Sequence, residues 1–389
     1  MRIAVLVSGG VDSSVALRLL KDQGHELTAF YLKIWLEDEL AFLGECPWED
    51  DLSYVRVVCE KAGVPLEIVP FQKEYWERVV AYTIDEVKAG RTPNPDMLCN
   101  ARIKFGAFLD FLNDKEATPP QSSPWKWEEV KKSALGGFDK IATGHYAQTE
   151  AISTPQSRRL DSSPWKGEQE IILLKMSPDA IKDQTYFLSQ LTQKQLSKAI
   201  FPIGGYTKKE VRELAEKFQL PNAKRKDSQG ICFLGKIPFD KFLEYHLGKR
   251  PGELIEYETK KVLGEHSGFW YFTIGQRQGI KLSGGPWYVV AKQPETNEVF
   301  ISHGEHHEEL ARDSFIVSGL NWIAGTAPEK TELSVKIRHG AKLYSATVEF
   351  LENDKLKVSL KEKDQGIASG QFAVFYAGEY CLGSGVISE

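Results

Sequence analysis

The stretch Val7-Ser8-Gly9-Gly10-Val11-Asp12-Ser13-Ser14 decides how the rest of this chain is read. It closes RIAVLV (residues 2–7), a short β-branched apolar run that predicts a buried strand, and it opens SSVALRLLKDQG, whose spacing predicts a helix stopped at Gly24. A turn of glycines and serines between strand and helix lets backbone N–H groups approach an anion, and the helix N-terminus favours the anion's charge. No lysine follows the glycines, whereas the commoner GK[ST] loop sets one on the β- and γ-phosphates. That absence suits a reaction that releases pyrophosphate and keeps the AMP half on the substrate.

Outward from this loop, strands and helices alternate. LTAFYLKI (27–34), LEIVP (66–70) and FDKIATGH (138–145) read as strands or a strand and its exit, and 51–63 and 73–90 as helices. The order predicts an α/β fold with a doubly wound parallel sheet, in which ligands bind beyond the carboxyl ends of the strands. VSGGVDSS and ATGH both fall at that edge. Residues 113–133 and 150–170 interrupt the pattern and share the repeat SSPWK, which reads as two surface insertions. Beyond 205 come a helix opened by the capping box Thr207 and Glu210, a second helix in PFDKFLEYHLG, and from 284 a run of short strands that suggests a small barrel. The expected division is a nucleotide domain at 1–205, a small linking domain at 206–283 and a β-barrel at 284–389.

A chain of 389 residues with 42% hydrophobic and 26% charged residues is ordinary for a globular protein of two or three domains. No apolar run approaches the ~18 residues of a membrane helix, so a cytoplasmic protein without a membrane partner is expected. The net charge of −5 opposes indiscriminate nucleic-acid binding and leaves local basic patches at 208–209, 224–226, 249–250 and 336–342. Five cysteines without a CxxC pair form neither a disulfide scaffold nor a metal site. Cys59 and Cys381 read as packing residues; Cys46, Cys99 and Cys232 stay open.

In TPNPDMLCNARIKFGAFLDFL (92–112) Asn94 suits a helix N-cap and Pro95 the first helical position, which puts Asp96 and Cys99 on one face of the first turn. A helix N-terminus favours a thiolate, while Asp96 opposes one; packing and dipole roles explain the pair as well as catalysis does. Cys232, in KRKDSQGICFLG, reads equally as an inert buried thiol or a reactive one near a basic run. SGGVDSS is similar to loops of enzymes that adenylylate a carbonyl oxygen with ATP; with two candidate thiols, that resemblance implies sulfur transfer, in which the oxygen leaves as an adenylate and a persulfide delivers sulfur.

SGGVDSS resembles the pyrophosphate loop of the adenine-nucleotide α-hydrolase group. NPDMLCN, ATGHYA, KDQTYFL, DSQGICF and FTIGQRQG are similar, in this order, to motifs of the bacterial and organellar tRNA-specific 2-thiouridylases. The resemblance covers nearly the whole chain outside the two insertions. It implies Cys99 as nucleophile and Cys232 as persulfide carrier, joined transiently by a disulfide, with Asp96 as acid/base and His145 beside the nucleotide. It implies ATP, with Mg2+ as its counter-ion, against Leu6, Val7, Ser8, Gly9, Gly10, Val11, Asp12, Ser13, Leu32 and Gly144. It implies tRNA contacts at Asn94, Pro95, Asp96, Lys182, Asp183, Gln184, Arg338 and His339, with Gln371 close to the site. The implied substrate is the wobble uridine in the anticodon arm of tRNAs for Lys, Glu and Gln, flipped out for chemistry, and the implied partner is a persulfide donor. Leu32 stands where the family commonly has methionine, and Thr185 where it often has serine. The competing readings are a pyrophosphate-loop ligase for a small molecule, which needs neither Cys99 nor Cys232, and an RNA-binding protein with a dead nucleotide domain.

Overall fold

The computed structural model describes residues 1–34, 48–113, 137–153, 170–227, 237–304, 306 and 310–388. Cys46, Cys232 and both copies of SSPWK lie outside the described residues.

Strands β1 (Arg2–Leu6), β2 (Glu26–Lys33), β3 (Leu66–Pro70) and β4 (Lys140–Ala142) run parallel. The chain then makes a hairpin, β5 (Ala147–Ser153) and β6 (Glu170–Met176), before returning to the same sheet with β7 (Ala199–Ile200), giving the order β3-β2-β1-β4-β7. β1 is central and buried from Ile3 to Leu6, which is why its sequence is unbroken and apolar rather than alternating. Connections leave β1 toward β2 on one side and reach β4 on the other, so β1 and β4 flank the switch point where such sheets bind ligands.

Helices cover both faces. On one, Leu17 and Leu20 of α1 (Val11–Asp22) and Val55, Val58 and Cys59 of α2 (Trp48–Ala62) pack on Ile3, Val5 and Ala29. On the other lie α3 and α4. The first runs Gln72–Tyr75, Trp76–Val80 and Ala81–Lys88, and the second Pro95–Leu98, Cys99–Ala107 and Phe108–Asn113; the middle stretch of each is wound as a π-helix. Phe30 of β2 meets Phe108 edge-on at 5.1 Å. The doubly wound sheet expected from the sequence is present.

Short helices α5 (Thr185–Leu188) and α6 (Gln193–Leu196) precede α7 (Lys208–Lys217) and α8 (Phe239–Leu247). The Thr207–Glu210 capping box is formed. α7 packs Val211 and Ala215 on Val15 and Ala16 of α1, so it belongs physically with the nucleotide layer and not with a linking unit. A four-stranded sheet follows, from β8 (Gly252–Glu256), β9 (Val262–His266), β10 (Trp287–Gln293) and β11 (Glu298–His303), in the order β10-β11-β8-β9. β10 and β11, expected in the barrel from 284 onward, belong to this sheet instead, where β11 pairs with β8, so the middle unit extends to 303.

β12 (Arg312–Trp322), β13 (Glu332–Lys336), β14 (Tyr344–Leu351), β15 (Lys355–Asp364), β16 (Phe372–Ala377) and β17 (Tyr380–Ile387) form the barrel. Pairing runs β12-β15-β14-β13-β16-β17 and closes through β17 and β12. Alternating burial along β14 and β15 sends Val348 and Val358 into the barrel interior with Val317, Val335 and Phe375. β6 adds to β17 outside this closure, pairing Leu174 with Cys381 and Lys175 with Tyr380. The largest buried cluster joins all three parts: Phe30 and Phe108 of the nucleotide layer, Phe242 of α8, and Phe372 and Tyr376 of the barrel. Among the described residues no helix is long and apolar enough to cross a membrane.

Candidate active site

The loop after β1 is shaped by two close backbone approaches. Gly9 has φ +74°, and a Cβ there would lie 2.5 Å from the carbonyl oxygen of Asp51. Gly144, at the exit of β4, leaves so little room that a Cβ would stand 2.6 Å from the Ser13 nitrogen. Both positions therefore admit only glycine, and they bring SGGVDSS and ATGH together at the switch point. Gly10 is the N-cap of α1 and offers no side chain to the first-turn amides, which are left pointing into the opening. The serines brace the loop: Ser13 Oγ and Ser14 Oγ donate to the Gly10 carbonyl at 3.2 and 2.9 Å, and Ser8 N–H donates to Ser13 Oγ at 3.2 Å. Leu6 is buried at the end of β1, and Leu32 of the neighbouring strand β2, paired in register with Val69 of β3, is half-buried.

Asp12 anchors an ion-pair network invisible in the local sequence. Lys208 Nζ at the start of α7 reaches its two oxygens at 2.7 and 2.9 Å, and Tyr146 OH donates to Oδ1 at 2.8 Å. The same lysine lies 2.8 Å from Asp227, which also takes Lys182 Nζ at 2.8 Å and Arg212 Nη2 at 2.5 Å. Burial opposes the Asp227 charge, but hydrogen bonds from Lys182 and Lys208 outweigh it and hold the carboxyl well below the usual range. Burial and the Asp12 charge push the Tyr146 phenol well above its ordinary value, so it stays a donor. Arg225 donates to the Gly9 carbonyl at 3.1 Å and pairs with Asp51 at 2.6 Å, while Asn222 Nδ2 reaches Gly9 O and Ser14 Oγ, each at 2.9 Å. Lys208 and Arg225, members of basic runs in the sequence, thus hold the nucleotide loop.

The second cluster is built on α4. Asn94 Oδ1 accepts from the Met97 amide at 3.2 Å with Pro95 at the first helical position, as the sequence predicts. Asp96 is half-buried; Cys99 is buried and begins the π-helical stretch. π-helical turns inside α-helices occur often at functional sites. Asn94 also meets the Tyr186 hydroxyl, which donates to the Phe372 carbonyl at 3.1 Å and so ties α4 to the residue after Gln371. The loop before Gln371 is held from the other side, where Thr92 N–H donates to Ser369 O at 2.8 Å. Asn100 Nδ2 donates to Phe187 O at 3.1 Å, and its Oδ1 accepts from Lys104 at 2.9 Å. Burial, then the charge of Lys104, lowers the pKa of His145 far below its ordinary value, so this imidazole is neutral. Its Nδ1 lies 2.7 Å from Thr143 Oγ1, one step from Gly144.

The barrel supplies the third wall. Lys336 and Asp183 form an ion pair at 3.0 Å with both side chains fully enclosed. His339 Nε2 lies 3.2 Å from the Asp183 carbonyl and its ring stacks on Phe187 at 4.6 Å. Partial burial lowers the His339 pKa, against an upward pull from Asp183 and from the Asp96 carboxylate, which places α4 and the barrel edge within electrostatic reach. Three expected RNA contacts are engaged inside the protein in this conformation. Asp183 has its carboxylate enclosed by Lys336, Thr185 and the Ser177 amide; Gln184 Oε1 accepts from the Tyr146 amide at 2.9 Å; Lys182 is paired with Asp227. Arg338 is exposed and holds Asp364 through two bonds of 3.1 and 2.7 Å. Reading the sequence alone does not single out Tyr146, Lys208, Asn222, Arg225 or Asp227. The Gly-His-Tyr order points at Tyr146, but nothing local points at the others.

A glycine-shaped loop at the switch point of a parallel sheet defines a nucleotide-binding α/β class, here carrying a middle sheet and a closed β-barrel. Three family models agree: residues 1–120 and 123–236 match the tRNA methyl transferase HUP domain, 240–303 its PRC-barrel domain, and 312–387 the aminomethyltransferase beta-barrel domain. A Parabacteroides distasonis protein named tRNA-specific 2-thiouridylase MnmA is 44% identical over 100% of this chain and 99% of its own length. Relatives of that name from Bacteroides thetaiotaomicron (42%, all of both chains) and Porphyromonas gingivalis (40%, 100% and 99%) match as fully. The chain belongs to the tRNA-specific 2-thiouridylase family.

Proposed function

We propose that this chain replaces the C2 oxygen of the wobble uridine in tRNAs for Lys, Glu and Gln with sulfur, at the expense of ATP. What supports this reading is a chain of contacts between the three elements: Tyr146 bonds Asp12 of the loop and, through its amide, Gln184; His339 of the barrel sits against the Asp183 carbonyl and feels the Asp96 charge. The first-turn amides of α1 and the Gly9 and Gly144 cradle fit a phosphate chain, with Mg2+ as its counter-ion. When bound, ATP supplies an adenylate leaving group on the uracil oxygen. Asn94 and Pro95 rigidify the start of α4, so that Cys99 and Asp96 face the base from a fixed turn. Neutral His145 borders the nucleotide without adding charge. Cys232 is proposed as the persulfide carrier, loaded by an external persulfide donor; Cys99 attacks its inner sulfur, the outer sulfur is expelled as hydrosulfide and bonds to C2 as AMP leaves, and an external thiol reductant reopens the Cys99–Cys232 disulfide. Arg338 and His339 grip the anticodon arm, and Gln371 borders the base.

Mass spectrometry of unmodified tRNA incubated with the protein, ATP and a persulfide source tests this directly. The expected product is 2-thiouridine at the wobble position, absent with Cys99→Ser or Cys232→Ser. No 2-thiouridine from the intact protein overturns the reading. A methylated product that forms with S-adenosylmethionine in place of ATP would favour the methyl transfer named in the family-model descriptions.

A further inference from the structure

We propose that the seam between the middle sheet and the barrel is a phosphate-binding cleft that holds the RNA backbone beside the nucleotide presented to Cys99. The inference rests on the proposed tRNA substrate and adds a site to it. Two adjoining cavities, of about 610 and 400 Å3, share Ile274, Asp364 and Gln365 in their walls. Arg338, Lys342 and Lys363 line the first, Lys292 and Arg312 the second, and among the described lining residues Asp364 is the one acid. Acids outnumber bases in the whole chain, 54 to 49, so five bases to one acid among the described lining residues is a local arrangement and not the average composition.

That one acid is already committed. Asp364 takes both Arg338 nitrogens, the Tyr344 hydroxyl and the Gly366 amide. Lys292 and Arg312 have no carboxylate partner among the described residues: Lys292 Nζ donates to the Phe272 carbonyl at 2.9 Å, and Arg312 Nη2 to the Ile367 carbonyl at 2.7 Å. An ammonium carries three donors and a guanidinium five, so donors remain beyond these two bonds, on residues that line the cavity. Burial pulls the Lys292 pKa down to about 8, the mark of a half-buried cation without a counter-charge. An anion in the cleft would satisfy both groups.

Position makes RNA the occupant. Gly275 of the middle domain packs on Gly366 of the barrel and sets the floor of the seam. Ser369, in the wall of the second cavity, accepts from the Thr92 amide, two residues ahead of Asn94. Arg338, in the wall of the first, adjoins His339, which feels the Asp96 charge. The cleft is thus tied through Ser369 and Arg338 to the residues at the start of α4, where a flipped nucleotide needs its flanking phosphates fixed.

The test is tRNA binding to the full-length protein across a salt series, with Lys292→Met, Arg312→Met and Lys292→Arg, each checked for an unchanged melting temperature. Each methionine variant should weaken tRNA binding about tenfold and reduce the slope of log Kd against log salt by about 0.7, with Lys292→Arg close to wild type. Wild-type affinity and slope in both methionine variants would overturn the cleft while leaving tRNA thiolation standing. Failure of the wild-type protein to bind tRNA would instead remove the reading beneath it. If the variants lose affinity for inorganic phosphate alone, the site serves a small phosphate and the RNA assignment falls.

Discussion

Around Asp12, five side chains from distant parts of the sequence are all ion-paired with one another: Asp12 with Lys208, and Asp227 with Lys208, Lys182 and Arg212. Along the seam, Lys292 and Arg312 face a cavity with only carbonyl oxygens as partners among the described residues. Both regions are rich in basic residues, yet only the second has charge to offer a ligand without first breaking a protein ion pair. The comparison teaches that a basic cluster in a sequence says little until its counter-charges are known. One member of each run, Lys208 of 208–209 and Arg225 of 224–226, turns out to brace the nucleotide loop.

The sharpest way to strain this contrast is to remove a cation of each kind. Lys336→Met leaves the enclosed Asp183 carboxylate alone, and denaturant unfolding should show a loss of about 3–5 kcal/mol, with much of it recovered in Lys336→Met/Asp183→Asn. Lys292→Met should lose no stability in the same assay, because no pair is broken and a buried cation is removed. Equal losses would erase the distinction. Next in size, Lys208→Met leaves Asp12 and Asp227 without their shared cation. An expected rise of roughly tenfold in the ATP KM, with about 1 kcal/mol of stability lost given the partial exposure of these groups, is checked by AMP release and urea unfolding. An unchanged KM would confine Lys208 to scaffolding.

Two smaller effects are read from pH. The folded-state pKa of Asp227 is depressed, so its contribution is present above the unfolded value near 3.9 and is lost as pH falls through the folded one. The stability gap between wild type and Asp227→Asn should therefore be full at pH 5 and narrow below about pH 4. Lys292 has the opposite linkage. Its folded pKa of about 8 lies below the unfolded value near 10.4, so the unfolded chain holds more protons between them and stability should rise with pH across that window. Arg312, Asp364, Arg338, Lys342 and Lys363 face the same cavities, and Lys292→Met, which leaves them in place, should flatten the rise. A rise that survives in Lys292→Met would assign it to another group.

Features set by neighbours within a turn are legible in the sequence. The strand-loop-helix order around SGGVDSS, the Asn94 N-cap and the Thr207–Glu210 capping box are of this kind, and each is found as read. Cys59 is the buried packing thiol expected, its pKa pushed up to about 12 by burial. Features that depend on partners far along the chain are not legible in this way. Residues 150–170 read as an insertion, yet strands enter the segment at both ends, because β5 and β6 are stabilised by a partner strand some two hundred residues later. β10 and β11 look like barrel strands in isolation, and only the pairing of β11 with β8 assigns them elsewhere. Asp183 reads as a ligand contact in KDQ, and only the lysine enclosed beside it shows a structural task.

The β5–β6 hairpin has a consequence for how this architecture can be cut or exchanged. Its strand β6 finishes the edge of β17, so the first half of the chain supplies a piece of the last half's sheet. A fragment ending before residue 312 would expose β6 as an unpaired edge, open to self-association. Chimeras that swap the barrel between relatives would have to carry the hairpin along, which makes these distant segments one heritable unit.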